Sequence, residues 1–169
     1  MKNILIVSAT LKSNYKLGEE LKSLLEEFDT KVTLISLENY MLPLYTEELS
    51  NNHKEDYKET IVALTDYFVG NDGLIICAPE YNGSIPPIVN NAIAWISGNT
   101  DYWRDAFNNK TALIATCSGG VGTKFVNVMK TQLEHLGCVV MPRAISSNES
   151  NPLNIKSTEK ILKHFIKMI

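Results

Sequence analysis

The chain has 169 residues, a length that points to one domain over residues 1–169 built on one substantial core. Hydrophobic residues make up 44% and charged residues 21%, as in a globular protein. The formal net charge is -3 and basic residues are scattered among acidic ones, which argues against a nucleic-acid or anionic-membrane binder.

The opening run Met1–Val7 is too short for a secretory apolar segment and lacks a cleavage site, and no stretch is long enough to span a membrane. A cytoplasmic location is therefore expected. The three cysteines, Cys77, Cys117 and Cys138, form no CxxC pair and lie in or beside apolar runs, so they read as reduced, buried thiols. Cys117 ends a predicted strand, but no base partner is visible for a catalytic thiol.

In chain order, "NILIVSA" (3–9) is a fully apolar run, as in a strand covered on both faces. Leu17, Leu21, Leu24, Leu25 and Phe28 then recur at spacings of three and four, which predicts a helix over 14–28. "KVTLISL" (31–37) is rich in β-branched residues and reads as a second strand. Residues 38–56 show no period, and Pro43 argues for a loop. The charged stretch 53–59 reads as a solvated helix start, and Tyr57, Ile61, Leu64 and Phe68 mark that helix. "GLIICA" (73–78) is the third strand, followed by a helix over roughly 86–97. "KTALIATC" (110–117) is the fourth strand. Phe125, Val128, Met129, Leu133 and Leu136 mark a further helix, "CVVM" (138–141) a fifth strand, and Ile161, Leu162, Phe165, Ile166 and Ile169 a last helix. Apolar strands alternating with amphipathic helices predict a parallel sheet with helices on both faces.

In such a sheet, ligands bind beyond the C-terminal strand ends where strand order reverses. The segments after strands one, three and four are also the least ordinary in the sequence. "SATLKSNYKL" (8–17) places hydroxyls and Lys12 before a helix. Ser13 or Asn14 could cap that helix, or a phosphate could use the same amides. Neither GxxxxGK[ST] nor GxGxxG is present, which argues against a triphosphate P-loop and a dinucleotide fingerprint. "PEYNGSIPP" (79–87) has prolines that stiffen a strand exit and a helix entrance, with Gly83 free to take angles closed to other residues. It is either a rigid structural turn or a loop whose exposed amides and carbonyls suit a planar heterocycle. "TCSGGVGTKF" (116–125) carries three glycines in four positions, either as a flexible turn or for close approach to a flat ligand. Three such loops at one predicted edge favour a ligand.

With these segments in view, the sequence resembles the NADPH-dependent FMN reductase family over nearly its whole length. "PEYNGSIPPIVNNAIAW" (79–95) is similar to that family's PEYN-G-S-x-P-x-x-x-K-N-A-x-D-W pattern, with Asn90 where Lys is frequent and Ala94 where Asp commonly precedes Trp. "CSGGVGT" (117–123) matches the family's Gly-rich third loop. The first loop is a looser match to GSxRxxSxNxxL: it lacks the leading Gly, and Lys12 stands near the usual Arg without the planar fork that clamps a phosphate.

The resemblance implies a flavodoxin-like α/β three-layer sandwich with a five-stranded parallel sheet in the order 2-1-3-4-5. It implies FMN as cofactor and NADPH or NADH as co-substrate. Thr10, Lys12, Ser13 and Asn14 would hold the FMN phosphate. Pro79, Glu80, Tyr81, Asn82 and Gly83 would meet the isoalloxazine edge, and Ser118, Gly119 and Gly120 its other side. No catalytic acid, base or metal is implied, because the flavin itself takes the hydride. A homodimer or dimer-based tetramer and a small-molecule acceptor such as a flavin, quinone or azo compound complete the expectation. The competing readings are a flavodoxin-like electron carrier or a non-catalytic flavin-binding partner protein, and a nucleotide-phosphate binder with no redox role. His53, His135 and His164 lack metal-ligand spacing. Tyr102, Trp103 and Arg104 pack a loop, shield the flavin or meet a partner subunit.

Overall fold

The structure is a computed structural model that describes residues 1–169. Its elements are β1 (Lys2–Ser8), α1 (Ser13–Glu26), β2 (Thr30–Ser36), α2 (Glu47–Asn52), α3 (Lys58–Val69), β3 (Gly73–Cys77), α4 (Pro87–Ser97), β4 (Thr111–Cys117), α5 (Thr123–His135), β5 (Val139–Val140), β6 (Ile145–Ser147) and α6 (Ile155–Met168). Every strand pairing is parallel, and the order β2-β1-β3-β4-β5 is the flavodoxin-like one that the family resemblance implied.

The strands read as unbroken apolar runs because both faces are covered. Side chains alternate across a strand, so Leu5 and Val7, Leu74 and Ile76, and Ala112 and Ile114 enter one core. Leu64 and Phe68 of α3, Ile93 and Ile96 of α4, and Phe125 and Met129 of α5 close that side. Ile4 and Ile6, Ile75 and Cys77, and Leu113 and Ala115 enter the other core, against Leu17, Leu21 and Leu25 of α1 and Ile161, Leu162 and Phe165 of α6. Each fully buried large side chain contributes about 1.5–3 kcal/mol of apolar burial. Val128 departs from the predicted stripe on α5: it is exposed, while Phe125, Met129, Leu133 and Leu136 are buried.

Two segments differ from the sequence expectation. The fifth lane of the sheet is split. β5 pairs with Thr111 and Ala112 at the start of β4, and Met141 N–H still reaches Ala112 O at 2.8 Å. Pro142 then has no N–H to offer, and the backbone leaves the ladder before β6 rejoins it opposite Ala115–Cys117. A three-residue strand preceded by Pro142, Arg143 and Ala144 carries too little periodicity to be read in advance. The expected loop over 38–56 also holds the short helix α2, which Thr46 caps by accepting from Leu49 N at 3.1 Å. No helix is long and apolar enough to cross a membrane.

Candidate functional site

The C-terminal ends of β1, β3 and β4 bring the three unusual loops to one edge. In the first loop, Ala9 N–H continues the ladder to Cys77 O at 2.9 Å, and Ser8 Oγ donates to Thr10 O at 2.7 Å, which turns the chain. Lys12 then stands at the N-cap of α1 without a side-chain cap. The backbone amides of Thr10, Lys12, Ser13 and Asn14 donate to no acceptor in the chain. The intervening Leu11 N–H donates to the carboxylate of Glu38. Unpaired amides at a helix start, with the dipole behind them and an exposed Lys12 beside them, form a seat for an anion.

Asn14 serves that loop differently from its neighbours. Its side chain is buried and pairs with one peptide of the third loop: Nδ2 donates to Cys117 O at 2.9 Å, and Cys117 N–H donates to Oδ1 at 2.8 Å. Loops one and three are thereby fixed to one another, which leaves Asn14 only its backbone amide for a ligand.

The second loop leaves β3 through Pro79, which is buried, and turns at Asn82–Gly83. Both residues have positive φ, 51° and 70°, and Tyr81 and Ser84 exchange both backbone bonds at 3.1 and 2.9 Å. That is the type I′ hairpin turn for which Asn-Gly is the favoured pair. Tyr81 and Asn82 are exposed at its tip. Glu80 is committed to structure. Its N–H donates to Ser118 Oγ at 2.8 Å, and its carboxylate accepts from Lys124 N at 3.0 Å and Phe125 N at 3.2 Å, capping α5 from outside that helix.

In the third loop, Ser118 Oγ also shares a 2.8 Å bond with Thr116 Oγ1. Gly122 has φ 72°, and a Cβ there would lie 2.7 Å from Thr116 Cγ2, so this position needs glycine. Gly119 and Gly120 face open space, with nothing within 4 Å of where a Cβ would stand. They line a cleft of about 450 Å³ with Glu80, Ser118 and Lys124, a size within the usual range for small-ligand sites. Asn148 Nδ2 donates to Gly120 O at 3.2 Å, and Ser146 Oγ to Val121 O at 2.8 Å, so β6 and the turn after it support the loop from behind.

Sequence reasoning missed several of these positions. Lys124, whose Nζ would lie 3.7 Å from a Cβ at Gly83, is the cation of the cleft. Asn91, inside the recognised motif, accepts from Tyr45 N at 2.7 Å and donates to Pro43 O at 2.9 Å. Trp95 Nε1 donates to the same carbonyl at 2.8 Å. Helix α4 therefore clamps the segment after β2. Asn90, where the family often has Lys, instead accepts from Gln132 of α5 at 2.9 Å. Tyr102, Trp103 and Arg104 lie between α4 and β4, at the opposite edge of the sheet. There the Arg104 guanidinium stacks 4.3 Å over the Trp103 ring and Trp103 meets His135 at 5.3 Å, away from this chain's own cleft, while Tyr102 and Trp103 stay exposed. No three His, Cys, Asp or Glu gather as metal ligands.

The comparisons with known proteins fit this edge. The sequence profile of the NADPH-dependent FMN reductase family matches residues 1–151. The chain belongs to that family. That family is described by its use of NADPH and FMN. It is 34% identical to a 2-hydroxy-1,4-benzoquinone reductase of a Burkholderia species over 83 residues, which cover 48% of this chain and 42% of that protein. The chain thus spans less than half the length of that relative. A quinone reductase of Pseudomonas putida is 28% identical over 171 residues, covering 95% of this chain and 88% of that protein. In structure, the chain superposes on the flavoenzyme NAD(P)H:(acceptor) oxidoreductase FerB of Paracoccus denitrificans with a TM-score of 0.76 at 24% identity, covering 99% of this chain and 95% of that one, a likeness of fold.

Two outcomes are expected from the ties around this family site. Asn14→Ala leaves the part-buried N–H and C=O of Cys117 without the Asn14 partner and should cost about 1–3 kcal/mol in urea unfolding. An unchanged midpoint would show that the two loops do not depend on that side chain. The thiols should also separate. Burial disfavours the thiolates and pushes Cys77 and Cys138 to about 12, with Lys110 offsetting part of the rise at Cys138. At pH 8 a thiol reagent should therefore label the partly exposed Cys117 alone, and all three cysteines after denaturation. Fast labelling of Cys77 in the native protein would contradict its packing under the sheet.

Proposed function

We propose that the chain is an FMN-dependent oxidoreductase that oxidises NADH or NADPH and reduces a small-molecule acceptor such as a flavin, quinone or azo compound. The observation that carries this reading is the run of unpaired amides at Thr10, Lys12, Ser13 and Asn14, placed on the same edge as the open Gly119–Gly120 cleft. The first suits a phosphate and the second a flat ring, and a phosphorylated flavin needs both. Family membership and the quinone reductases among the relatives support the same choice.

When bound, FMN supplies the chemistry, accepting hydride from the nicotinamide and releasing electrons to the acceptor. This chain's residues bind and orient. Thr10, Ser13 and Asn14 offer amides to the phosphate, and the Lys12 ammonium adds a point charge. Pro79, Glu80, Tyr81, Asn82 and Gly83 would present a stiff backbone edge to the ring, while Gly119 and Gly120, after Ser118, would admit its other side without a Cβ in the way at either glycine. Glu80 and Ser118 act through the loops they hold, since their side chains are already bonded. No side-chain acid or base is assigned to the reaction. Three free thiols suit a reducing, cytoplasmic setting. A homodimer or dimer-based tetramer belongs to the same proposal.

Anaerobic addition of NADH or NADPH to the FMN-loaded protein should bleach the flavin bands. Bleaching by neither nucleotide would leave an electron carrier or a flavin-binding partner protein, and failure to take up FMN would overturn the cofactor assignment itself. Lys12→Ala should weaken FMN by about three- to tenfold at low ionic strength and less at high salt, because an exposed charge is screened. Equal loss at both salts would remove Lys12 from the phosphate seat.

A further inference from the structure

The amide seat in the first loop already holds one anion of the chain's own. Leu11 N–H, in the middle of the row of unpaired amides, donates to a carboxylate oxygen of Glu38. Glu38 is exposed, but its backbone is anchored locally. It stands in a single 3₁₀ turn, Leu37–Asn39, directly after β2, with its own N–H held by Ser36 Oγ at 3.3 Å. The parallel register sets Ser36 beside Ser8, so this turn rises next to the first loop. Glu38 belongs to none of the chain's ion pairs, so no Lys or Arg of the chain neutralises it by contact.

The geometry points to Glu38 as the residue that limits how tightly this chain holds a phosphorylated flavin. Its carboxylate takes the Leu11 amide inside the anion seat and repels a phosphate bound to the amides on either side. This rests on the FMN reading of the same site. A phosphate monoester carries about −1.5 to −2 charges at neutral pH. Set about 5 Å from a carboxylate in a water-like dielectric, it loses affinity by about tenfold. Lys12 offsets part of that as a point charge, without the two-pronged grip of a guanidinium.

Glu38 also orders the first loop, and a purely supporting role would have the opposite effect on binding. Glu38→Gln separates the two, because the amide oxygen still accepts from Leu11 N–H while the charge is gone. The measurement is the Kd of FMN and of riboflavin, which lacks the phosphate, for the native protein and E38Q, by flavin fluorescence at low and high salt. E38Q should bind FMN about tenfold more tightly at low salt, the gain should shrink at high salt, and riboflavin should be unaffected. A thermal melt of each variant checks folding, and E38A, judged by the ratio of FMN to riboflavin affinity, stands in if E38Q does not fold. FMN binding unchanged or weakened in E38Q, or riboflavin tightened by the same factor, would overturn the role of Glu38 and leave the flavin assignment standing. Proteins that take up neither flavin would sink the cofactor reading and this inference together.

Discussion

The buried pairing of Asn14 with the Cys117 peptide is the interaction on which the rest of the edge depends. β1 and β4 are not neighbours in the sheet, since β3 lies between them. Apart from the apolar packing of α1 on the sheet, this pair is what joins their C-terminal loops directly. Asn14 satisfies a donor and an acceptor at the end of β4 from the first turn of α1, and its burial means water cannot substitute for it. Glu80 extends the logic to the middle strand. Through Ser118 and the first amides of α5 it joins loop two to loop three. The three turns are therefore one polar assembly, and on the proposed reading a site held in this way loses less entropy on binding.

Much of this fold was legible because its constraints are local and repeated. Covering a parallel sheet on both faces requires strands that are apolar at consecutive positions, and runs such as Ile4–Val7 and Leu74–Cys77 carry that requirement plainly. Helix stripes such as Leu17, Leu21 and Leu25 are equally plain, because one face of each helix meets the sheet. What escaped were elements held by context. β6 is three residues long and exists because β4 offers an unpaired edge beyond the Pro142 interruption. Val128 has the spacing of a core residue, yet α5 turns that position to solvent, a choice made by tertiary packing and not by periodicity.

The candidate site was legible to a different degree. Glycines and prolines announce backbone conformation directly, so the Asn82–Gly83 turn and the open Gly119–Gly120 loop could be anticipated from residue type. Polar side chains do not announce their partners. Asn14, Glu80 and Ser118 sit in the expected loops, but whether each faces a ligand or a neighbouring peptide depends on contacts 38 to 103 residues away in the chain. Asn91 and Trp95 show the same limit within the most recognisable stretch of the sequence, since their partners Pro43 and Tyr45 lie in a segment with no periodic signal.

A site assembled from backbone amides has a consequence for how sequence and function relate. Amides are supplied by any residue but proline, so the anion seat persists under substitution provided the turn keeps its shape, and that shape is kept by a few side chains outside the seat. Affinity can then be adjusted by charges that touch the seat without building it. Lys12 and Glu38 are of this kind: they flank the same amides with opposite signs, one at the N-cap of α1 and one at the end of β2. On the proposed reading, architecture and affinity are thus set by different residues: the turn is built by side chains such as Asn14 and Glu80, and the charge beside it by Lys12 and Glu38.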